Sequence, residues 1–419
     1  MTHGHYSFFG VILISIVTVW TIPTKIPTTI QMHSSENYFN LGLISTLFLF
    51  LGALLYQDGL IYSDHGYARS IVHLCLWIAS AFSLLAAGLA FKNRQKLTTA
   101  IMSAAFFFLM ARLFSLRASP QPFIDVFTVC TEAVNYLFLG MNPYSQTYHD
   151  IYNGMYDYKA LPVYPPAALY WPAPFQFLLG DIRFSFILCD LITAGTFAYL
   201  TKNLPNKMLR LTPLLWLAFP VSLFVIEQSW NDLLVIMLTA LLLTSIAKRR
   251  LMIAAFLLGC LLVSKQYSVF IFGLSAFYIE RNWSRAEFIK AMGLALTTAF
   301  ILVAPLAFND FNHFYQCVIA AFLNYKMRPD SLSLAALIQH TTKLVVPNFV
   351  LFGGGVIAFL ISVLNLLRSE KGQISTLTAG LCFTYSVVFL LGKQAFCNYY
   401  YFVAALLLLH ITFVARERS

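Results

Sequence analysis

Charge is scarce in this chain. Only 11% of its 419 residues are Asp, Glu, Lys or Arg, while 59% are apolar. A soluble domain carries about 25% charged residues, so a water-soluble globular protein is excluded. Also missing are a GxxxxGK[ST] loop, a GxGxxG turn and a GxSxG elbow, which removes the usual support for nucleotide hydrolysis and serine-hydrolase chemistry. The seven cysteines, Cys75, Cys130, Cys189, Cys260, Cys317, Cys382 and Cys397, have no paired short spacing. They read as small buried hydrophobes, with no zinc or haem motif among them. His149, His313 and His340 lack metal-ligand spacing, so neither a metal nor another cofactor is expected. No internal repeat, low-complexity linker or soluble domain interrupts the chain.

Long apolar runs are abundant. The stretches 39–56, 71–91, 230–247 and 349–367 hold roughly 18 or more nearly uncharged residues, enough to cross about 30 Å of hydrocarbon as helix. With a mean hydropathy of +0.73, they predict an all-α polytopic membrane protein. Helices are expected near 7–22, 39–56, 71–91, 99–116, 183–200, 212–226, 230–247, 251–264, 267–280, 288–306, 347–367, 374–391 and 398–414, about 13 spans with a range of 12–14. The first run lacks the preceding basic residues and the small-residue cleavage site of a signal peptide, so it reads as a span. Two stretches resist assignment: 165–180, apolar but with four prolines, and 331–346, short and amphipathic. Each reads as re-entrant or interfacial.

The net charge of +10 follows the membrane and gives no reason to expect nucleic acid. Basic residues cluster between spans, at Lys92, Arg94 and Lys96; Lys202, Lys207 and Arg210; Lys248, Arg249 and Arg250; Arg281, Arg285 and Lys290; Arg368 and Lys371; Arg416 and Arg418. The positive-inside rule makes these loops cytoplasmic. It puts the N-terminus outside, the C-terminus inside, and the two longest hydrophilic stretches, 117–164 and 309–330, on the opposite face. A functional site is expected there.

In the first stretch, 123–139 has helical periodicity and predicts a helix along the membrane surface, with Asp125 in its first turn and Glu132 further along. Gly140 to Tyr144 stops that helix in a turn. Tyr148, Tyr152, Tyr156, Tyr158 and Tyr164 follow; such a density suits sugar recognition and equally an interfacial aromatic belt. Glu227, Asn231 and Asp232, within EQSWND, form a polar cluster at another external junction, read as a solvated turn or a hydrogen-bonding site for substrate. Lys265 interrupts two apolar helices. Lysine at the centre of a bilayer costs roughly 2.5–3.5 kcal/mol on insertion scales, so such a residue faces a protein-lined or aqueous cavity. Lys393, Lys326 and Arg328 are further external cations, each also able to snorkel to lipid headgroups.

Several of these elements, in order, resemble the GT-C glycosyltransferases that use polyprenyl-phosphate-linked sugars, and most closely the branch with the bacterial phosphatidylinositol-mannoside mannosyltransferase. They are Asp125, the G-x-N-P-Y element Gly140–Tyr144, Tyr164-Pro165-Pro166, Lys265-Gln266-Tyr267, the segment Pro329 to Leu334, and FCNYYYF at 396–402. The resemblance covers about 112–414. It implies a catalytic domain over 99–419 with an external loop at 117–165, and an added membrane extension over 1–98. The D-x-D motif usual in the related GPI mannosyltransferases is absent from that loop.

The resemblance implies an inverting transferase moving a hexose, mannose foremost, from a polyprenyl phosphate to a lipid or glycan acceptor, in a bacterial inner membrane with its site on the periplasmic face. It makes Asp125 the base. Lys265, Lys393, Arg328 and Lys326 would hold the donor phosphate, and Asn142, Tyr144, Tyr164, Glu132, Asn398 and Tyr399 the substrates. The competing class is a multi-pass transporter or lipid-linked sugar flippase, which also uses intramembrane lysines and broken helices. An inactive scaffold of the same fold is the third reading, and the oligomeric state stays open.

Overall fold

A backbone in hydrocarbon has no water to bond, so an apolar run has to satisfy its own N–H and C=O groups as helix. The computed structural model of the protein describes residues 32–64, 66–92, 96–155, 160–328 and 330–419. The expected first span at 7–22 lies outside the described residues, as do Arg94, Tyr156, Tyr158 and Pro329. The described chain is all-helical and contains no strand. Seven of its helices are long and apolar enough to cross a membrane.

Two compact units divide the chain. The described residues of the first are 32–64, 66–92, 96–155, 160–162, 168–237 and 418–419. Its helices are α1 (Met32–Tyr56), α2 (Tyr67–Phe91), α3 (Leu97–Ala118), α4 (Asp125–Phe138), α5 (Ala173–Leu179), α6 (Arg183–Thr201), α7 (Thr212–Leu217) and α8 (Ser222–Glu227). α2 and α3 pair along their length. Their buried faces repeat at three- and four-residue spacing, with Val72, Leu76, Ala79, Ser83, Ala86 and Ala90 on one and Ala100, Ala104, Phe108 and Ala111 on the other. Small side chains there let two backbones approach closely, which is how helices associate where lipid supplies no hydrophobic driving force.

The expected span 212–226 is not one helix. It divides into α7 and α8 because Pro220 has no N–H to continue the ladder. The Leu217 carbonyl freed by the break accepts a bond of 2.9 Å from Arg112 Nη2. Arg112 is fully buried, donates 3.1 Å to Phe108 O and pairs with the equally buried Asp190 of α6. Asp190 O in turn accepts from Trp216 Nε1 at 3.2 Å. A buried charge pair thus joins α3 and α6 and closes the hydrogen bonding of the α7 break.

The division between units falls inside α9 (Asp232–Ala247), between Met237 and Leu238. In the second unit, whose described residues are 163–167 and 238–417, the helices are α10 (Leu251–Leu262), α11 (Val269–Asn282), α12 (Arg285–Ala307), α13 (Leu334–Thr342), α14 (Asn348–Arg368), α15 (Ile374–Leu390) and α16 (Cys397–Glu417). α10 and α12 touch at Gly259, where an added Cβ would stand 2.4 Å from Ala295 O. α12 opens with a capping box between Ser284 and Glu287, which satisfies two orphan amides reciprocally. Arg281 donates to the Leu366 and Ser369 carbonyls, a cation on the negative end of α14.

α1, α2, α3, α6, α12, α14 and α16 match seven of the expected spans, while α9, α10 and α15 match three more as apolar helices of 16, 12 and 17 residues. The proline-rich stretch 165–180 forms one turn at Ala167–Tyr170 and then α5, which stops at Gly180 with φ 74°. In 331–346, Ser333 Oγ caps α13 by accepting from Ala336 N at 3.2 Å, and Lys343 ends the helix at φ 61°.

Candidate functional site

The apolar sequence from 251 to 282 would continue as one helix but for Ser264-Lys265-Gln266. Ser264 turns back on α10, its Oγ donating 2.8 Å to Leu261 O, and Lys265 is fully extended at φ −158°, ψ 147°. One tight turn, Gln266–Ser268, then starts α11. A second segment is bound on either side of this break. Gln266 Nε2 donates to Val163 O at 2.6 Å and to Val318 O at 3.0 Å, while Ala167 N donates to Val263 O at 3.0 Å. Those bonds fix Tyr164 beside Lys265.

The Lys265 ammonium is 5.8 Å from the Tyr164 ring centroid, 5.2 Å from Tyr267 and 5.0 Å from Tyr399, the last in the first turn of α16. Lys265 is only 5% exposed. One desolvated cation–π contact is worth up to about 2 kcal/mol, so the three ring faces offset part of the cost of burying the ammonium. Tyr267 is itself held between Tyr385 at 5.5 Å, Phe389 at 5.3 Å and Phe402 at 5.5 Å, and Tyr385 OH donates 2.7 Å to Tyr267 O. Asn398 is buried beside Tyr399 in the same turn. Three aromatic rings thus enclose the Lys265 ammonium.

A strap lies over the turn that leads into α16. Arg328 N donates 3.2 Å to Lys393 O and Leu332 N donates 2.6 Å to Ala395 O. Ala395 N donates 2.8 Å to Ser331 Oγ, and Tyr400 OH donates to Leu332 O. The Arg328 guanidinium grips Asp330 with two bonds, Nε to Oδ1 at 2.9 Å and Nη2 to Oδ2 at 2.7 Å, and lies 5.0 Å over the Phe396 ring. Lys393 Nζ donates 3.3 Å to Leu323 O, and partial burial lowers its pKa. Lys326 is exposed. Of the four cations expected at the donor phosphate, Lys265 is the one enclosed by aromatic rings, and Arg328 is engaged by a carboxylate.

In the other unit, Asp125 is the first residue of α4, its Oδ1 accepting from Val126 N at 2.9 Å and its amide donating 3.4 Å to Tyr152 OH. Glu132 Oε2 accepts from His149 N at 3.1 Å. Asn142 Oδ1 accepts from Tyr144 N at 3.1 Å and caps the turn Pro143–Ser145, in which Tyr144 is 1% exposed. Tyr148 OH donates 2.6 Å to Pro143 O, Tyr136 OH donates 3.1 Å to Thr147 O, and the rings of Tyr136 and Tyr148 meet edge to face at 5.7 Å. The Tyr136 hydroxyl and the ring pair hold the loop onto α4, and the Tyr148 hydroxyl closes the loop on itself.

The EQSWND element is buried throughout its polar residues rather than a solvated turn. Glu227 accepts two backbone bonds, from Ile61 N at 2.9 Å and Tyr62 N at 3.0 Å, and burial raises its pKa against those bonds. Asp58 next along that loop is gripped by Arg69 at 3.0 Å and His73 at 3.2 Å. Arg183 donates to Asp181 at 2.6 Å and to Ser119 O at 2.6 Å while lying 4.9 Å over Phe127. Arg112, Asp190 and Arg183 are buried polar residues that sequence reasoning passed over. The signal was available for Arg112 and Asp190, each a charge inside an otherwise apolar run. No protein-family model, curated protein or solved structure matches the chain.

Proposed function

We propose that the protein is an integral membrane glycosyltransferase that moves a hexose, mannose foremost, from a polyprenyl phosphate to a lipid or glycan acceptor with inversion. The observation that carries this reading is the Lys265 ammonium under the faces of Tyr164, Tyr267 and Tyr399. A lipid-linked phosphodiester reaches its enzyme through the bilayer and needs a cation in apolar surroundings, and aromatic faces suit the sugar it carries. In the transfer, the bond between the sugar's anomeric carbon and the phosphate oxygen breaks and the phosphate keeps the electron pair. The acceptor oxygen bonds to that carbon, and its proton goes to a base, the role the resemblance gives to Asp125. The reading places the protein in a bacterial inner membrane with Lys265 toward the periplasm and the basic loops in the cytoplasm.

Charge at Lys265 supports the departing phosphate electrostatically, an effect worth on the order of 10²–10³-fold in turnover when one such group is removed. Lys265→Gln, which keeps polarity and most of the length, is expected to lower transfer by that order while the protein melts near the parent temperature. Normal donor KM and kcat in a well-folded Lys265→Gln protein would make the lysine structural and remove the reading's main support.

The broken helices at Leu217–Ser222 and Val263–Gln266 favour a second reading, a flippase or transporter. Proteoliposomes loaded with lipid-linked sugar separate the two. A transferase changes the sugar's linkage, and a flippase changes only its leaflet.

A further inference from the structure

The fork that Arg328 presents to Asp330, two parallel bonds at 2.9 and 2.7 Å, is the geometry in which a guanidinium grips a phosphate. We infer that Asp330 competes with the donor and product phosphate for Arg328, holding the arginine until a phosphate displaces the carboxylate and reclaiming it so that the prenyl phosphate leaves. This rests on the reading of the caged lysine as the phosphate site. Arg328 and that lysine are connected through a single turn: the guanidinium lies over Phe396 at 5.0 Å, Phe396 O accepts Tyr399 N at 3.1 Å, and the Tyr399 ring is 5.0 Å from Lys265 Nζ.

The exchange is a side-chain event. The strap that bears Arg328 is held through its backbone, by Arg328 N on Lys393 O, Leu332 N on Ala395 O and Ala395 N on Ser331 Oγ, and none of these bonds uses either partner of the ion pair's side chains. Arg328 and Asp330 are each about a quarter exposed, at 22% and 26%. A partly solvated pair is cheaply exchanged, unlike the buried Arg112–Asp190 pair, so an incoming anion can take the arginine without unfolding anything.

The chemistry of transfer explains why such a competitor helps. The donor is a phosphodiester with one negative charge, and loss of the sugar leaves a phosphate monoester that carries nearly two at neutral pH. With both Lys265 and Arg328 committed to it, that product would be the species the site binds best. A carboxylate fixed two residues from Arg328 lowers the affinity for product by the worth of the pair it re-forms.

The test is the affinity of the full-length protein in nanodiscs for undecaprenyl phosphate, with undecaprenol as the uncharged control. Asp330→Asn and Asp330→Ser are each expected to bind undecaprenyl phosphate about two- to fivefold more tightly than the parent, the fold-change that an exposed ion pair is worth. In an Arg328→Gln background the same substitutions should give no such gain. An equal gain with and without Arg328 would make Asp330 a mere background charge, and no gain at all would remove its role. Either result overturns the inference while Lys265-dependent binding leaves the donor reading standing. If the parent protein binds undecaprenyl phosphate no better than undecaprenol, the donor reading falls and the inference with it.

Discussion

Replacing Arg112 by methionine keeps the volume and the apolar stem of the side chain and removes its five donors. The structure shows what they hold: the Asp190 carboxylate, Phe108 O at 3.1 Å and Leu217 O at 2.9 Å, with Arg112 and Asp190 both fully buried. Removing one partner of a buried pair leaves the other charge without compensation, which costs roughly 3–5 kcal/mol. Phe108 O lies within α3, whereas Leu217 O stands at the Pro220 break and has no helical partner, so the loss falls on the α7 break as well. Arg112→Met combined with Asp190→Leu removes both charges. The Leu217 carbonyl then keeps only the Ser222 hydroxyl at 3.5 Å, and the double variant should recover most of the loss, to within about 1–3 kcal/mol of the parent. Unfolding of the purified protein in detergent, followed by circular dichroism against added denaturing detergent, measures all three. A single variant within 1 kcal/mol of the parent, or a double variant as unstable as the single, would refute the assignment of a buried pair.

Glu227 supplies a pH test. Burial raises its folded pKa above the ordinary carboxylate value, so its contribution to stability is fully present below roughly pH 4 and is lost as pH rises through the raised value. The melting temperature of the parent minus that of Glu227→Gln should therefore fall as pH increases through this window; a flat or rising difference would contradict the desolvated carboxyl. Asp125→Asn keeps the shape and the oxygen that accepts from Val126 N but cannot take a proton, and a general base is worth roughly 10²–10⁴-fold. Expression and melting should be unchanged while transfer falls by that order, and near-normal transfer, with loss in Glu132→Gln instead, would move the base to Glu132.

How much of this was legible in the sequence depends on range. Helices such as 71–91 and 288–306 were readable because a lipid-facing helix declares itself by length and hydropathy alone. The split of 212–226 was not, since Pro220 sits in a uniformly apolar run and its consequence rests on Arg112, 105 residues away. Lys265, Tyr164 and Tyr399 were singled out in three separate motif elements, and only the resemblance joined them in one site. Their convergence depends on the Gln266–Val163 and Ala167–Val263 bonds, which no local pattern announces. The tyrosines that follow Tyr144 were left open between sugar recognition and an interfacial belt, because composition cannot tell a hydroxyl aimed at substrate from one that, like that of Tyr148, bonds Pro143 O. Arg328 was read as a phosphate cation, and only the structure adds that Asp330 already occupies its fork.

The central claim is that activated sugar arrives on a prenyl phosphate. It is tested most directly by purified protein in liposomes given, in separate samples, a polyprenyl-phosphate hexose and the matching nucleotide sugar, with glycolipid products read by mass spectrometry. The account predicts transfer from the prenyl-linked donor alone, abolished or sharply reduced in Lys265→Gln. Transfer from the nucleotide sugar without added prenyl carrier, or relocation of the prenyl-linked sugar with its linkage unchanged, would contradict it.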